Sequence, residues 1–395
     1  MGGIRSVAIP AAASAAAALV ASFLIGGVGG SDPSAEPTVS DSATSSQAPS
    51  EGPATEAPAG STSASGTQVD AADLPALGIQ FHGTWSHYTD AKREAVLDKI
   101  EESGATWVRL DVSWAMIQSS PGEYDMNYGV PLVDTVIDQL RQRDLKVLVM
   151  FWRTPQWASG DPSNENVAPQ DPADYASALE WAADRWGDEV DAWQVWNEPN
   201  LDYFFEGTDP TQYTDLLCAG YGAVKRGDPD AQVVYGGIVG SDVAWLRSSY
   251  DAGARGCFDV MAVHSYSTPG DLPPSSSDTA DGRDLGSLAR VDAVMRAQDD
   301  AHSIWLTEFG WSAHTDAVDT EPWRRGVTEE KQAEYAEQAL EILARDLPYV
   351  TQAFWYKDVV NPQSSDMQQE GYAMLRGDLT PRPVFDTFRS LYAQG

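Results

Sequence analysis

Cationic side chains are scarce in this sequence: 25 Lys and Arg stand against 59 Asp and Glu, a formal net charge of −34 over 395 residues. A chain this acidic is repelled by nucleic acid and by anionic membrane surfaces, so neither is an expected partner. Histidine is sparse too, with five in all, and the two cysteines, Cys218 and Cys257, belong to no Cys-x-x-Cys motif. Without a His/Cys cluster at metal-ligand spacing, no metal is expected, and no cofactor either. The two thiols leave open whether a disulfide forms. Dinucleotide-binding glycine fingerprints are missing, because the Gly236-Gly237 pair lacks the required spacing.

What is present is ample apolar material. Hydrophobic residues make up 42% of the chain and include 14 Trp, flat side chains that suit a core or a sugar ring equally. Arg5 precedes an almost wholly apolar run over 7–30. Residues 1–30 therefore read as a secretory signal peptide or, since the run is long, an uncleaved membrane anchor. Either reading places the remainder outside the cell membrane, secreted or tethered to it. Residues 31–71 are rich in Ser, Pro, Ala and Thr and nearly devoid of large apolar residues, the composition of a disordered linker. A single folded domain is expected over 72–395.

Within that domain, short runs rich in Val, Ile and aromatics alternate with longer amphipathic stretches. Strands are expected over 77–82, 107–114, 146–152, 192–197, 232–239, 258–266, 303–309 and 351–356. Helices are expected over 90–103, 130–143, 172–186, 210–226, 243–252, 288–299, 328–345 and 384–392. Strict alternation argues for a parallel sheet with right-handed crossovers, and eight units for an α/β fold of the (β/α)₈ TIM-barrel type. Active sites of that fold lie at the carboxyl ends of the strands.

Two of those ends carry a lone Glu in Trp-rich surroundings. The fourth strand ends in Trp193-Gln194-Val195-Trp196-Asn197-Glu198-Pro199-Asn200, the seventh in Trp305-Leu306-Thr307-Glu308-Phe309-Gly310-Trp311. One such Glu alone reads as a helix-cap neighbour or a surface ion pair. Two facing each other across a barrel mouth supply what glycoside hydrolysis requires, a carboxylic acid for the leaving oxygen and a carboxylate near the anomeric carbon.

With Asn-Glu-Pro ending the fourth strand and Glu ending the seventh, the chain resembles the clan A glycoside hydrolases. It is most similar to family 39 and its relatives, with some likeness to family 5. The strand Arg109-Leu110-Asp111-Val112-Ser113-Trp114, the loop Pro121-Gly122-Glu123-Tyr124-Asp125 and the segment Thr154-Pro155-Gln156-Trp157-Ala158 point the same way. The resemblance implies a retaining O-glycosyl hydrolase acting by double displacement, with Glu198 as acid/base and Glu308 as nucleophile; the N-terminal address makes an extracellular poly- or oligosaccharide the expected substrate. It further implies that Asn197 contacts the sugar 2-hydroxyl, that Tyr266 orients the nucleophile beside a site-shaping His264, and that Trp355 forms the aromatic floor. In that frame Arg109 is placed to hold Glu308 ionised, a salt bridge to Asp111 or another acid being the rival. Trp152, Trp157, Trp196 and Trp311 extend the floor or pack the barrel, Trp193 and Trp196 are placed to wall Glu198, and His82 binds a hydroxyl or sits on the polar rim. The segment 268–286 reads as a subsite wall or a surface loop. Where family 5 often has a His after the third strand, this chain has Phe151-Trp152-Arg153, which leaves the sugar open.

Two other functions are compatible with the pattern: a transglycosidase using the same intermediate, and a silent barrel that only binds polysaccharide. Retention of both carboxylates counts against the second. An aldolase is disfavoured, since Lys357 is the nearest Schiff-base candidate and Lys146 lies at the wrong strand end.

Overall fold

The computed structural model describes residues 70–276, 282–314 and 321–392. The expected leader and nearly all of the expected linker lie outside them. Among the described residues no helix is long and apolar enough to cross a membrane.

The strands are β1 (Ala76–Phe81), β2 (Trp107–Ser113), β3 (Lys146–Trp152), β4 (Ala192–Val195), β5 in two pieces (Gln232–Val234 and Ile238–Val239), β6 (Met261–Ser265), β7 (Ile304–Phe309) and β8 (Val350–Trp355). All pair in parallel in barrel order, with β8 against β1. A bridge from Val234 to Val260 joins the first piece of β5 to the entry of β6 and closes the circle. Between strands run α1 (Asp90–Glu102), α2 (Gly129–Arg141), α3 (Pro172–Trp186), α4 (Pro210–Gly227), α5 (Val243–Asp251), α6 (Leu288–Ala297), α7 (Glu329–Asp346) and α8 (Pro383–Tyr392). This is the (β/α)₈ barrel that the alternation implied.

Local chemistry sets the helix starts. Asp171 caps α3 and Asp209 caps α4, each accepting from a backbone N–H inside the first turn, with Pro172 and Pro210 next in line. Proline suits that position because its missing donor would be unpaired there anyway. Thr89 and Thr328 cap α1 and α7 in the same way.

Side chains on a strand alternate between two faces, and here one face meets the helices and the other the barrel axis. Val108, Leu110 and Val112 of β2 belong to the large core under the helices. The axis-facing set begins with a separate apolar cluster that includes Trp107, Leu148, Ala192, Trp305 and Phe354. Two residues further along the strands the axis turns polar, with Gln80, Arg109 and Gln194. An apolar plug thus closes the floor, and polar groups gather toward the carboxyl ends.

Two departures from regular strands shape that upper region. β5 was expected as one run, yet it breaks at Tyr235-Gly236-Gly237. A Cβ on Gly237, whose φ is +60°, would lie 2.4 Å from His264 Nε2 and 2.8 Å from Gln194 Nε2. Only glycine leaves room there for both side chains. In β7 the register shifts between Leu306 and Glu308. Thr307 faces the axis, so strict alternation would turn Glu308 outward; the irregularity swings it into the barrel mouth.

Cys218 of α4 and Cys257 before β6 form a disulfide across 39 residues of chain. Closing a loop of that length restricts the unfolded chain, for a stabilisation of about 2–4 kcal/mol. The double variant Cys218→Ser/Cys257→Ser should lose about that much in urea unfolding while keeping the native far-ultraviolet circular dichroism.

Candidate active site

The carboxyl ends of the strands surround an open cleft. Glu198 and Glu308 both line it, only 6% and 9% exposed. Glu198 follows β4 on a turn in which Trp196 and Glu198 itself adopt positive φ, and its N–H donates to Gly236 O at 2.8 Å. Oxygens of the two carboxylates and a His264 nitrogen lie within 4.8 Å of one another.

Arg109 stands under this pair and is almost wholly buried. Its Nη1 donates to Glu308 Oε1 and to Gln80 Oε1, each at 2.6 Å. Nη2 donates to Asn197 Oδ1 at 2.7 Å, and Nε to Gln194 Oε1 at 2.7 Å. Nη2 also faces Met150 Sδ at 2.8 Å. The rival pairing of Arg109 with Asp111 is not formed: Asp111 instead receives Trp85 Nε1 at 2.8 Å and faces His82 Nδ1 at 3.0 Å.

Glu308 receives a second hydrogen bond from Tyr266 Oη, 2.8 Å from its Oε2. His264 turns the other way: its Nδ1 is 2.7 Å from Glu198 Oε1, and its Nε2 is 3.0 Å from Thr307 Oγ1. Thr307 in turn accepts from Gln194 Nε2 at 3.2 Å, which links His264 back to the Arg109 network.

These contacts drive the two acids apart. Burial raises the pKa of Glu198 above the ordinary value, and the Glu308 charge adds to that against the opposing His264 contact. Burial also acts on Glu308, but there the fields of His264 and Arg109 and the bonds from Tyr266 and Arg109 outweigh it, and the pKa falls. Burial, reinforced by the Glu308 charge, raises the Tyr266 phenol well above its usual range, so it stays protonated and donates. Glu198, His264 and Glu308 are close enough to suggest a metal cage. Their facing atoms are already engaged with one another and with Arg109, a cation that would repel a metal ion bound there.

Of the remaining candidates, Asn197, His82 and Trp152 line the cleft. Trp355 does not: by alternation it faces the helices, with its ring against Phe309 and Phe388 and its indole N–H on Tyr372 O. Tyr356, one residue on, takes the place in the cleft. Trp311 is also corrected, being buried against Tyr335 of α7 with its N–H on Leu272 O. Trp157 donates to Gln118 O and is absent from the lining. Trp193 and Trp196 are fully buried and do not line the cleft, whose apolar lining includes Trp152, Phe204 and Val239. From the segment 268–286, Thr268 and Arg283 reach the lining, while 277–281 lie outside the described residues. Gln80, Gln194, Thr307, Trp85, Tyr356 and Tyr372 were missed. The first three have a sequence signal, as polar residues two positions apart from apolar axis-facing ones in strands.

Comparison with known proteins bears on this geometry. The family model described as cellulase (glycosyl hydrolase family 5) matches residues 63–357. A β-xylosidase of Geobacillus stearothermophilus is 29% identical over 164 residues, covering 37% of this chain. The match spans only about a third, 32%, of that relative's length. Among solved structures, a family 39 glycoside hydrolase from Bacteroides cellulosilyticus superposes with a TM-score of 0.63 at 21% identity, covering 82% of this chain and 65% of its own. A GH5_18 enzyme from Streptomyces cattleya, solved with GlcNAc, gives 0.63 at 20% identity, covering 81% and 80%.

Removing the Arg109 charge with Arg109→Met leaves a buried carboxylate uncompensated and should cost about 3–5 kcal/mol in urea unfolding at neutral pH. The lowered pKa of Glu308 contributes stability that is present above its ordinary value of 4.5 and is lost as the pH falls through the folded value. The gap between native and variant should therefore narrow in acid, and a gap that widens there would contradict the assignment.

Proposed function

The chain belongs to the cellulase (glycosyl hydrolase family 5) family, and on that premise we propose that it hydrolyses β-glycosidic bonds of an extracellular poly- or oligosaccharide with retention of configuration. The observation that carries this reading is the pair of buried carboxyl groups with an oxygen of one within 4.8 Å of an oxygen of the other, one pushed toward the acid and the other toward the carboxylate. Retaining glycosidases place these groups about 5–5.5 Å apart, whereas inverting ones leave about 6.5–9.5 Å for a water.

In the first step Glu308 attacks the anomeric carbon while Glu198 gives its proton to the departing glycosidic oxygen. That bond breaks, its electron pair staying with the leaving oxygen, and a glycosyl ester forms on Glu308. In the second, Glu198, now a carboxylate, takes a proton from water, whose oxygen attacks the same carbon and releases Glu308. Arg109 and Tyr266 stabilise the charge of Glu308 before attack and after release. Asn197, fixed through its Oδ1 by Arg109, is held at the cleft to meet the sugar. The β linkage is favoured by the β-xylosidase relative. The disulfide fits an oxidising compartment, in keeping with the apolar leader and an enzyme secreted or tethered outside the cell.

A screen of polysaccharides and nitrophenyl β-glycosides should show sugar release that Glu308→Gln abolishes. Proton NMR of the first product should show the anomer of the substrate; the opposite anomer would refute double displacement. The pH profile of kcat/KM should be bell-shaped. Its acid limb lies below 4.5, where Glu308 gains a proton, and its alkaline limb above 4.5, where Glu198 loses one. Glu198→Gln should remove the alkaline limb and slow poor leaving groups by about 10²–10⁴, with a smaller loss on 2,4-dinitrophenyl glycosides.

A further inference from the structure

One layer above Arg109 the barrel axis carries a second, separately built polar pair. Gln80 of β1 stands opposite Arg109 of β2, so residues two further along share the same face: His82 and Asp111. His82 Nδ1 lies 3.0 Å from Asp111 Oδ1, while Asp111 Oδ2 accepts from Trp85 Nε1 at 2.8 Å. Gln80 Nε2 stands off at 3.5 Å from the same ring nitrogen. Thr84 donates to the Asp111 carbonyl at 3.1 Å and ties the turn after β1 to β2. The imidazole stacks on the Trp85 indole, centroids 3.9 Å apart at 26°, and meets the edge of Tyr356 at 5.8 Å.

Orientation of this ring is thus fixed by an acid, a stacked indole and a phenol. The acid stays ionised: burial opposes this, but the bonds from His82 and Trp85 outweigh it and lower the Asp111 pKa. An ionised Asp111 that already accepts from Trp85 directs the Nδ1 proton toward itself. What remains is Nε2, buried and without a hydrogen-bond partner among the described residues, on a residue that lines the cleft. A buried ring nitrogen left unpaired costs free energy unless something else meets it. None of the residues in the proposed double displacement uses it.

We propose that His82 selects the substrate through one sugar hydroxyl bonded at Nε2, and that Asp111 is the positioning residue that sets the ring's tautomer and angle for it. The substrate class is a pyranoside bearing a free hydroxyl on the edge that faces β1 and β2. Nε2 accepts from that hydroxyl, and no covalent step is involved. The inference rests on the hydrolase reading and deepens it.

The test uses the full chain with 2,4-dinitrophenyl β-D-xyloside, β-D-glucoside and β-D-mannoside, then the 3-deoxy and 4-deoxy derivatives of whichever is cleaved fastest. His82→Phe keeps a ring to stack on Trp85 and removes Nε2. It should lower kcat/KM on the parent glycoside by about 10–100-fold. On one of the two deoxy substrates it should cost nothing further, because the partner hydroxyl is already gone. Asp111→Asn should show a smaller loss confined to the same hydroxyl, since an amide nitrogen facing Nδ1 moves the proton to Nε2. Equal losses on the parent and both deoxy substrates would mean a merely structural His82 and overturn the proposal. So would an unchanged parent rate. If the native chain cleaves none of the three glycosides and no polysaccharide, the hydrolase reading fails and this inference fails with it; if the native chain is active and only the hydroxyl dependence is missing, this inference alone falls.

Discussion

The site is organised around one buried cation. Arg109 enters the barrel from β2 with no solvent to share its charge, and a guanidinium in that position must be met on every side by acceptors. Gln80 of β1, Gln194 and Asn197 in and after β4, and Glu308 of β7 supply them. Each would otherwise bring a polar group into the axis at a cost. Together they form a closed set that fixes the angle between β1, β2, β4 and β7 at the height where chemistry takes place. The apolar plug of Trp107, Trp305 and Phe354 beneath it seals that set from below, which keeps the local dielectric low and the charge effects large.

Because Arg109 faces Glu308 and not Glu198, the two acids are not interchangeable. Both are buried, and burial alone would raise both. Glu308 escapes through the fields of His264 and Arg109 and the bonds from Tyr266 and Arg109; at Glu198 the His264 contact and the field of Arg109 do not offset burial and the Glu308 charge, and the other nitrogen of His264 is held by Thr307. That asymmetry needs room as well as charge. His264 can lie between Thr307 and Glu198 only because Gly237 presents no Cβ, which is why β5 breaks there. The interruption of a strand and the ionisation of a carboxylate two strands away are one structural fact.

Most of the fold was legible in the sequence because the barrel obeys two periods that survive without context, two for strands and 3.6 for helices. All eight helices and seven of the eight strands fall within a few residues of the ranges that patterning gives. Glu198 and Glu308 were legible because each is a lone acid at an apolar strand end. Trp355 was carried to the cleft by the resemblance, yet Phe354 toward the axis sends Trp355 to the helices and Tyr356 to the cleft, while Trp311, beyond the end of β7, turns onto Tyr335 of α7. Gln80, Gln194 and Thr307 were missed because the pattern marks only their place on the axis face, and their roles are set by partners on other strands.

The same geometry says why the polar layers stop where they do. Going up the axis on β2 the residues run Trp107, Arg109, Asp111, and on β1 they run Gly78, Gln80, His82. Gly78 is forced, since a Cβ there would lie 2.2 Å from the Phe354 ring that completes the plug. Moving the charged layer down by one position would strand it among Trp107, Trp305 and Phe354 with no acceptors. Moving it up would leave Arg109 where water reaches it and the field on Glu308 is screened. The ion pair therefore sits at the lowest level the plug permits, deep enough to depress a carboxylate and still one layer below the rim where a sugar can reach it.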